Sequence, residues 1–390
     1  MGSRFESEGA HPTRNTLRSI GPGGVLLSGY DGSPDHTDPS ERIGDMADTS
    51  DILATDLPVV AAPMAGGPGS TALAGAVAAA GGFPFVAGGY LTGTAFAEQV
   101  GAVQALGVPF GVNLFVPDER ADALDAAAFA SYAARLAPEA ERWGLTLDPS
   151  PVTGDRDAWD EKLEQLLADP VPVVSLTFGL PATADIAALR RVGSRVLATV
   201  TTPEEARAAR DAGVDGLVVQ GPAAGGHSGT WDPARTITPV RTADLVRDVV
   251  AAVGLPVIAA GGVDGPDAAR DLRAAGAEAV AVGTLLLRTD EAGTAATHRD
   301  ALTNPALGPT VITRAFTGRP ARGLRNGFID AHEAAAPLGY PAIHHLTRPL
   351  RRAAADAGDP DRVHLWAGTG YTKARTGPAG DVVRDLARLL

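Results

Sequence analysis

The chain has 390 residues, of which 45% are hydrophobic and 20% charged, so it can bury a large core. A formal net charge of −13 disfavours nucleic acids and anionic membranes as partners, because both bind clustered Lys and Arg. The absence of cysteine excludes disulfides, thiolate catalysis and Cys-ligated metals. No apolar stretch approaches the ~18 residues of a membrane span, and no secretory leader opens the chain, so we expect a cytoplasmic protein.

Residues 1–50 are polar, rich in Gly, Pro, Ser and Asp, and without a sustained period, which predicts a disordered N-terminal extension. From Leu57 onward, short apolar runs alternate with Gly-rich loops and Ala-rich amphipathic helices. The predicted strands are 57–62, 83–87, 109–115, 171–176, 195–200, 215–220, 255–260 and 279–283.

Eight apolar strands alternating with helices favour an α/β fold, a (β/α)₈ TIM barrel, over an open sheet. We place this barrel at 51–284, with an acidic helical insertion at about 120–168. Residues 285–362 are predicted to form a smaller helical appendage on the substrate side, and 363–390 a C-terminal tail that packs back on the barrel.

Active sites of such barrels lie on the loops that follow the strands. Strand 3 ends with Asn113 and strand 6 with Gln220, two amides that can donate and accept hydrogen bonds. The loops after the last two strands carry Gly261, Gly262, Gly283 and Thr284. Glycines there expose backbone N–H groups to an anion, so these loops predict a phosphate site; the alternative is that the glycines only make tight turns.

His227 is the strongest catalytic candidate among the eight histidines, because it lies in a glycine-rich loop that leaves strand 6. The alternative is a packed loop histidine. Arg319, Arg322 and Arg325 form a cationic cluster on the appendage, which could steer an anion or simply be a solvated face. The pair His344 and His345 lacks a third ligand at a useful spacing, so no metal site is predicted.

These pieces together resemble the nitronate monooxygenases, a family of FMN-dependent barrels. The resemblance covers about Leu57 to Lys373. It rests on AAPMAGGPGSTALAGAVAAAGGF, GVNLF, VSLTFGLP, VVQGPAAGGHSG, AAGGVDGPDAARDLRAAGAEAVAVGT and FTGRPARGLRNG.

The resemblance implies an enzyme that oxidises an anionic alkyl nitronate with O₂ to a carbonyl compound and nitrite, with His227 as the base. FMN would be the cofactor and would supply the redox chemistry. The residues implied to contact FMN are Pro63, Met64, Ala65, Asn113, Gln220, Gly225, Gly226, Gly261, Gly262, Gly283 and Thr284.

Two departures from the family concern the substrate. Thr177 stands where many relatives have a histidine, and the ending WAGTGYTK matches the family only loosely. Thr177, Tyr371 and Lys373 are therefore the candidate substrate residues, and a substrate larger than a simple nitronate is allowed.

Two other functions remain open at this point. A flavin reductase of the enoyl-thioester or quinone type, which would use NAD(P)H, shares the Gly-flanked histidine and the phosphate loops. A non-catalytic flavin- or ligand-binding barrel is the alternative of another class. A dehydrogenase of the IMP type is dismissed, because it needs a catalytic cysteine. Homodimers are common among such enzymes, but no sequence feature establishes one.

Overall fold

Eight parallel strands close into a barrel in the computed structural model, which describes Leu53, residues 55–118 and residues 124–390. The predicted disordered extension lies outside the described residues. The barrel strands, in spatial order, are β1 (Val59–Ala61), β2 (Phe83–Ala87), β3 (Gly111–Phe115), β4 (Val173–Thr177), β5 (Arg195–Val200), β6 (Gly216–Gln220), β8 (Val257–Ala260) and β9 (Ala279–Val282). The predicted (β/α)₈ barrel is thereby confirmed.

The barrel closes where β1 pairs with β9, with Val60 opposite Ala281. Strand residues alternate between two apolar cores, as the pleat requires. Val60 belongs to the cluster inside the barrel, whereas Val59 and Ala61 belong to the larger cluster between the strands and the surrounding helices.

Twelve α-helices lie in the described residues. They are α1 (Thr71–Ala79), α2 (Gly93–Gln104), α3 (Ala126–Glu141), α4 (Trp159–Ala168), α5 (Thr183–Arg191), α6 (Pro203–Asp211), α7 (Thr242–Val253), α8 (Pro266–Ala274), α9 (Ala296–Ala301), α10 (Gly327–His332), α11 (Ala342–Asp356) and α12 (Ala379–Ala387). Ser70, Thr92 and Thr202 cap α1, α2 and α6 by accepting from backbone N–H groups of the first turn. None of the described helices is long and apolar enough to cross a bilayer.

The segment predicted as a helical appendage also contains two strands, which the sequence analysis missed. β10 (Thr310–Thr313) and β11 (Ala321–Leu324) form an antiparallel sheet with β7 (Gly226–His227), a two-residue strand in the loop after β6. Periodicity could not reveal this sheet, because its strands are short and its β11–β7 ladder joins residues about ninety positions apart. Through β11, the appendage therefore pairs with the loop that carries His227.

The insertion and the appendage share a second apolar core. Phe129, Tyr132 and Leu136 of α3 pack with Phe316 and with Leu346 of α11. At the end of the chain, α12 packs against α1 and α8. The insertion before β4 and the appendage after β9 thus form one layer over the barrel mouth.

Candidate active site

His227 is held at the barrel mouth by a strand ladder and by hydrogen bonds from the side chain of Gln220 to its loop. In β7 it pairs with Ala321 of β11. From below, Gln220 at the end of β6 donates from Nε2 to the His227 carbonyl oxygen at 3.1 Å and accepts from Gly229 N at 2.7 Å. The amide of Gln220, predicted to contact a flavin, thus also fixes the conformation of the histidine loop.

The His227 imidazole has a defined hydrogen-bond partner on the appendage. Its Nε2 lies 2.9 Å from Thr317 Oγ1, and the Thr317 hydroxyl donates to the Arg319 carbonyl oxygen at 3.3 Å. In this arrangement Nε2 carries the ring proton and Nδ1 carries the lone pair. Burial, together with the charges of Arg319 and Arg351, lowers the pKa of His227 to about 3. The ring is therefore neutral at physiological pH.

Aromatic rings form the wall around His227. The ring centroids of Phe178, Tyr340 and Trp366 lie 5.9, 5.6 and 5.6 Å from that of His227. Phe178 directly follows β4 and has a φ of 83°, a conformation that costs a non-glycine residue roughly 1–2 kcal/mol. Such strain is retained where the surrounding structure requires a particular side-chain position. Here it directs the ring of Phe178 toward His227. We call the group formed by His227 and the rings of Phe178, Tyr340 and Trp366 the chamber.

Two buried guanidinium groups give the chamber a positive charge. Arg319 is 2% exposed, and its Cζ lies 3.9 Å from the centroid of the Phe178 ring. Arg351, 5% exposed, donates to His344 O at 2.9 Å and to Thr347 Oγ1 at 3.1 Å. Burial lowers the pKa of both arginines to about 10, so both remain charged. An anion that enters beside them would be stabilised.

Of the predicted arginine cluster, only Arg319 takes this position. Arg322 is partly exposed and donates to Pro222 O at 2.8 Å, which ties β11 to the loop after β6. Arg325 is 57% exposed and pairs with Asp330.

A layer of hydroxyl and amide groups lies at the top of the barrel interior. Asn113 Nδ2 donates to Ser175 Oγ and to Thr177 Oγ1, both at 2.9 Å, and Thr177 Oγ1 lies 3.1 Å from Thr199 Oγ1. With its amide hydrogens engaged, Asn113 has the oxygen Oδ1 to offer a ligand. Thr177 is part of this layer, on the strand that leads to Phe178.

The loops predicted to hold a phosphate converge with the C-terminal tail. A Cβ added to Gly225 would lie 2.5 Å from Gly368 N, and one added to Gly261, whose φ is 102°, would lie 2.8 Å from Gly221 O. Thr284 Oγ1 accepts from Gly368 N at 2.9 Å. Only glycine fits these approaches. These approaches bring the loops after β6 and β9 against the tail, and we call the group formed by Gly225, Gly261, Thr284 and Gly368 the cradle. The sequence analysis had not assigned the tail a part in it.

The remaining predicted residues divide into two groups. Met64, in the loop after β1, reaches across to the loop after β9, where its Sδ lies 3.5 Å from the position a Cβ of Gly283 would take. Pro63 and Ala65 lie in the same loop as Met64, Gly226 lies in β7, and Gly262 lies in the loop after β8. Tyr371 packs instead against Gly308, and Lys373 is exposed. The structure thus gives Tyr371 a packing contact and Lys373 a solvent-facing position.

Thr317, Arg351, Tyr340 and Trp366 were missed by the sequence analysis. They lie in segments without strand-end context, and the pairing of β11 with β7 and the bridge between Gly323 and Trp366 help to bring these segments to His227. A signal was present for Arg319 alone, through its place in GRPARGLRNG.

A separate cavity of about 260 Å³ lies on the other side of the histidine loop. Its lining includes Gly226 and Ser228 but not His227, and it also includes Thr201, Arg235 and Arg322. Because side chains alternate along a strand, this places the cavity outside the His227 chamber.

Known proteins resemble the chain over most of its length. The family model described as nitronate monooxygenase matches residues 48–388. A probable nitronate monooxygenase from Staphylococcus aureus is 32% identical over 341 residues, which cover 86% of this chain and 94% of the relative. The solved structure of a nitroalkane oxidase from Streptomyces ansochromogenes is 45% identical, with a TM-score of 0.81, and covers 86% of this chain and 96% of that one. The structure of FabK from Thermotoga maritima, 24% identical with a TM-score of 0.67, shares the fold.

Proposed function

The chain belongs to the nitronate monooxygenase family, and we propose that it oxidises alkyl nitronates with O₂ to a carbonyl compound and nitrite, using FMN at the barrel mouth. It is an oxidoreductase of the monooxygenase type. The nitroalkane oxidase from Streptomyces ansochromogenes, at 45% identity, supports this choice of substrate class.

The observation that carries the proposal is a neutral histidine inside a positively charged, aromatic chamber. A nitronate is a flat anion with its charge on two oxygens. Arg319 and Arg351 favour the entry of such an anion, and the rings of Phe178 and Tyr340 offer it flat surfaces. Burial and the same charges keep His227 neutral before the substrate binds, and a bound anion beside Arg319 and Arg351 would offset these charges and make proton transfer to Nδ1 easier.

The residues at the mouth fit FMN. A phosphate suits the cradle of Gly225, Gly261 and Thr284, because a small anion needs backbone N–H groups and no intruding Cβ. The polar edge of a flavin ring suits Asn113, which retains a free amide acceptor. Met64 and its neighbours would lie against the flat ring. Electron transfer from the substrate and the reaction with O₂ are the chemistry that the bound cofactor supplies.

The protein side chains orient the substrate and manage its proton. Arg319 and Arg351 hold the anionic end, and the aromatic wall excludes water from the reacting carbon. When the substrate arrives as a neutral nitroalkane, His227 takes the proton on the carbon next to the nitro group at Nδ1, which produces the nitronate; a substrate that arrives as the nitronate has already lost this proton. Thr317 keeps the imidazole in the orientation and tautomer that this step requires.

Substitution of His227 by Asn tests the proposal. We expect kcat/KM for a neutral nitroalkane to fall by about 10²–10⁴-fold while bound flavin is retained, since the change removes the proton acceptor but not the cradle. For propionate 3-nitronate, which needs no proton removal, kcat/KM should fall much less. The matched control is His332→Asn, a buried histidine that packs between Tyr132 and Phe328, away from the chamber. It should lower stability but not kcat per bound flavin. Full activity of H227N would overturn the role of His227, and NADPH oxidation by the wild-type protein would favour a reductase.

A further inference from the structure

The helical insertion contains a buried ion pair. Lys162 in α4 is 1% exposed, and its Nζ donates to Asp157 Oδ2 at 2.8 Å and to the Asp157 carbonyl oxygen. Lys162 and Lys373 are the only lysines among 33 basic residues. A compact ammonium ion that donates to two oxygens of one residue suits this position better than a planar guanidinium group would.

The second carboxylate oxygen of Asp157 reaches the barrel. Asp157 Oδ1 accepts from Tyr90 N at 2.7 Å, and Tyr90 lies in the loop after β2 with a φ of 69°. This left-handed conformation is unfavourable for tyrosine and needs an external partner to hold it. Nearby, Glu161 Oε2 accepts from Gly93 N at 3.1 Å. The insertion therefore holds the loop after β2 at two points.

Tyr90 connects this anchor to the chamber. Its ring stacks on His344 at 4.4 Å with an interplanar angle of 3°, and its edge meets Phe115 at 5.5 Å. Its hydroxyl group interacts with that of Tyr340, whose ring lies 6.4 Å from that of His344 and 5.6 Å from that of His227. The position of Tyr340 opposite His227 thus depends on the backbone of Tyr90.

We propose that Lys162 and Asp157 are positioning residues for the active site: the pair fixes Tyr90, and through it Tyr340, so that the wall opposite His227 fits the substrate. This inference rests on the proposed nitronate oxidation. It gives the insertion between β3 and β4 a part in substrate binding beyond covering the barrel.

Removal of the ammonium ion should weaken the hold on Tyr90. Burial raises the pKa of Asp157 even with Lys162 beside it. Without Lys162 the carboxyl group would favour its neutral form, which is a weaker acceptor for Tyr90 N. The Tyr90 peptide could then relax from its left-handed conformation, and Tyr340 would lose its fixed partner.

The test uses the flavin-loaded variant Lys162→Met, which keeps the apolar part of the side chain. We expect KM for propionate 3-nitronate to rise about tenfold, because the wall is displaced. We expect kcat per bound flavin to change by about twofold or less, because His227 and the cradle are untouched. The control is Arg156→Met, which removes an exposed pair with Asp160 in the same insertion and should leave both constants unchanged.

A double-mutant cycle with Tyr340→Phe separates positioning from general stability. Since Tyr340→Phe removes the hydroxyl group that interacts with Tyr90, Lys162→Met should raise KM much less in that background than in the wild type. Independent effects of the two changes would overturn the proposal, as would an unchanged KM for K162M.

Hydrogen exchange provides a readout that needs no turnover. The Tyr90 amide should be protected in the wild type and in the Arg156→Met variant, and should exchange faster in the Lys162→Met variant. If the wild type does not oxidise the nitronate, the proposed function fails, whereas unaltered exchange at Tyr90 in K162M would contradict the positioning role itself.

Discussion

The proton on His227 is controlled by residues far away in the chain. Its Nε2 lies 2.9 Å from Thr317 Oγ1, and burial, together with the charges of Arg319 and Arg351, lowers its pKa and keeps the ring neutral. The sequence could identify His227, because a Gly-flanked histidine after a strand end is a local pattern. It could not identify Thr317, which lies 90 positions away and meets His227 only through the pairing of β11 with β7.

Replacement of Thr317 by Val should lower kcat/KM by about tenfold, because the imidazole loses the partner that fixes its tautomer. Thr317→Ser keeps the hydroxyl group and should restore most of the activity. The measurement is kcat/KM for a neutral nitroalkane between about pH 5 and pH 9, a range in which the wild type should show no titration of His227, because its pKa is lowered to about 3. Full activity of the Val variant would show that the hydroxyl group of Thr317 is not needed, and an equal loss in the Ser variant would show that the hydroxyl group alone does not explain the effect.

At the scale of elements, the site depends on where loops meet. Strands 83–87 and 195–200 were predicted with their observed ends, since their apolar runs are bounded by glycine or polar residues. Several other predicted strands begin about two residues before the observed ones. Pro109, Pro172 and Pro256 precede the first residue that pairs with a neighbouring strand, and a proline has no backbone N–H to donate. The convergence of Gly225 with Gly368 left no local signal, because it joins two loops distant in sequence.

Substitution of Gly225 by Ala should reduce the FMN content of the purified protein, because the new Cβ would lie 2.5 Å from Gly368 N and displace the tail from the cradle. The control is Gly101→Ala, an exposed position inside α2 with no heavy atom within 4 Å of the added Cβ. That change should stabilise the fold by about 0.5–1 kcal/mol and leave the flavin in place. Flavin content per protein, from absorbance, decides the comparison. Full flavin content in G225A would show that the cradle tolerates a displaced tail.

At the scale of the whole molecule, several histidines are held neutral inside one region. Burial lowers the pKa of His227 to about 3, that of His298 to about 4 and that of His344 to about 2. Burial also lowers the pKa of His364, well below its usual value. Composition could not reveal this, since a count of eight histidines does not show which are buried together. The number of strands, by contrast, was sufficient to predict the barrel.

These buried histidines predict a loss of stability in mild acid. Their folded pKa values lie below the ordinary 6.5, so between about pH 6.5 and 4 the unfolded chain binds more protons than the folded one. The free energy of unfolding should therefore fall as pH falls, by at most about 1.4 kcal/mol per pH unit for each histidine.

Urea midpoints measured at several pH values test this expectation. His364→Gln keeps an acceptor for Arg351 but cannot titrate, so its stability should depend less steeply on pH than that of the wild type. A midpoint that stays constant between about pH 7 and pH 5 would show that these imidazoles are accessible to protons in the folded state.

The central claim is that the barrel mouth holds a flavin that is reduced by a nitronate. It is tested most directly by the absorbance spectrum of the purified protein, recorded without oxygen before and after addition of propionate 3-nitronate or, separately, NADPH. We predict flavin bands that change with the nitronate and stay unchanged with NADPH. Bleaching by NADPH alone would assign the protein to the reductases, and a colourless protein that cannot be reconstituted with FMN would contradict the account.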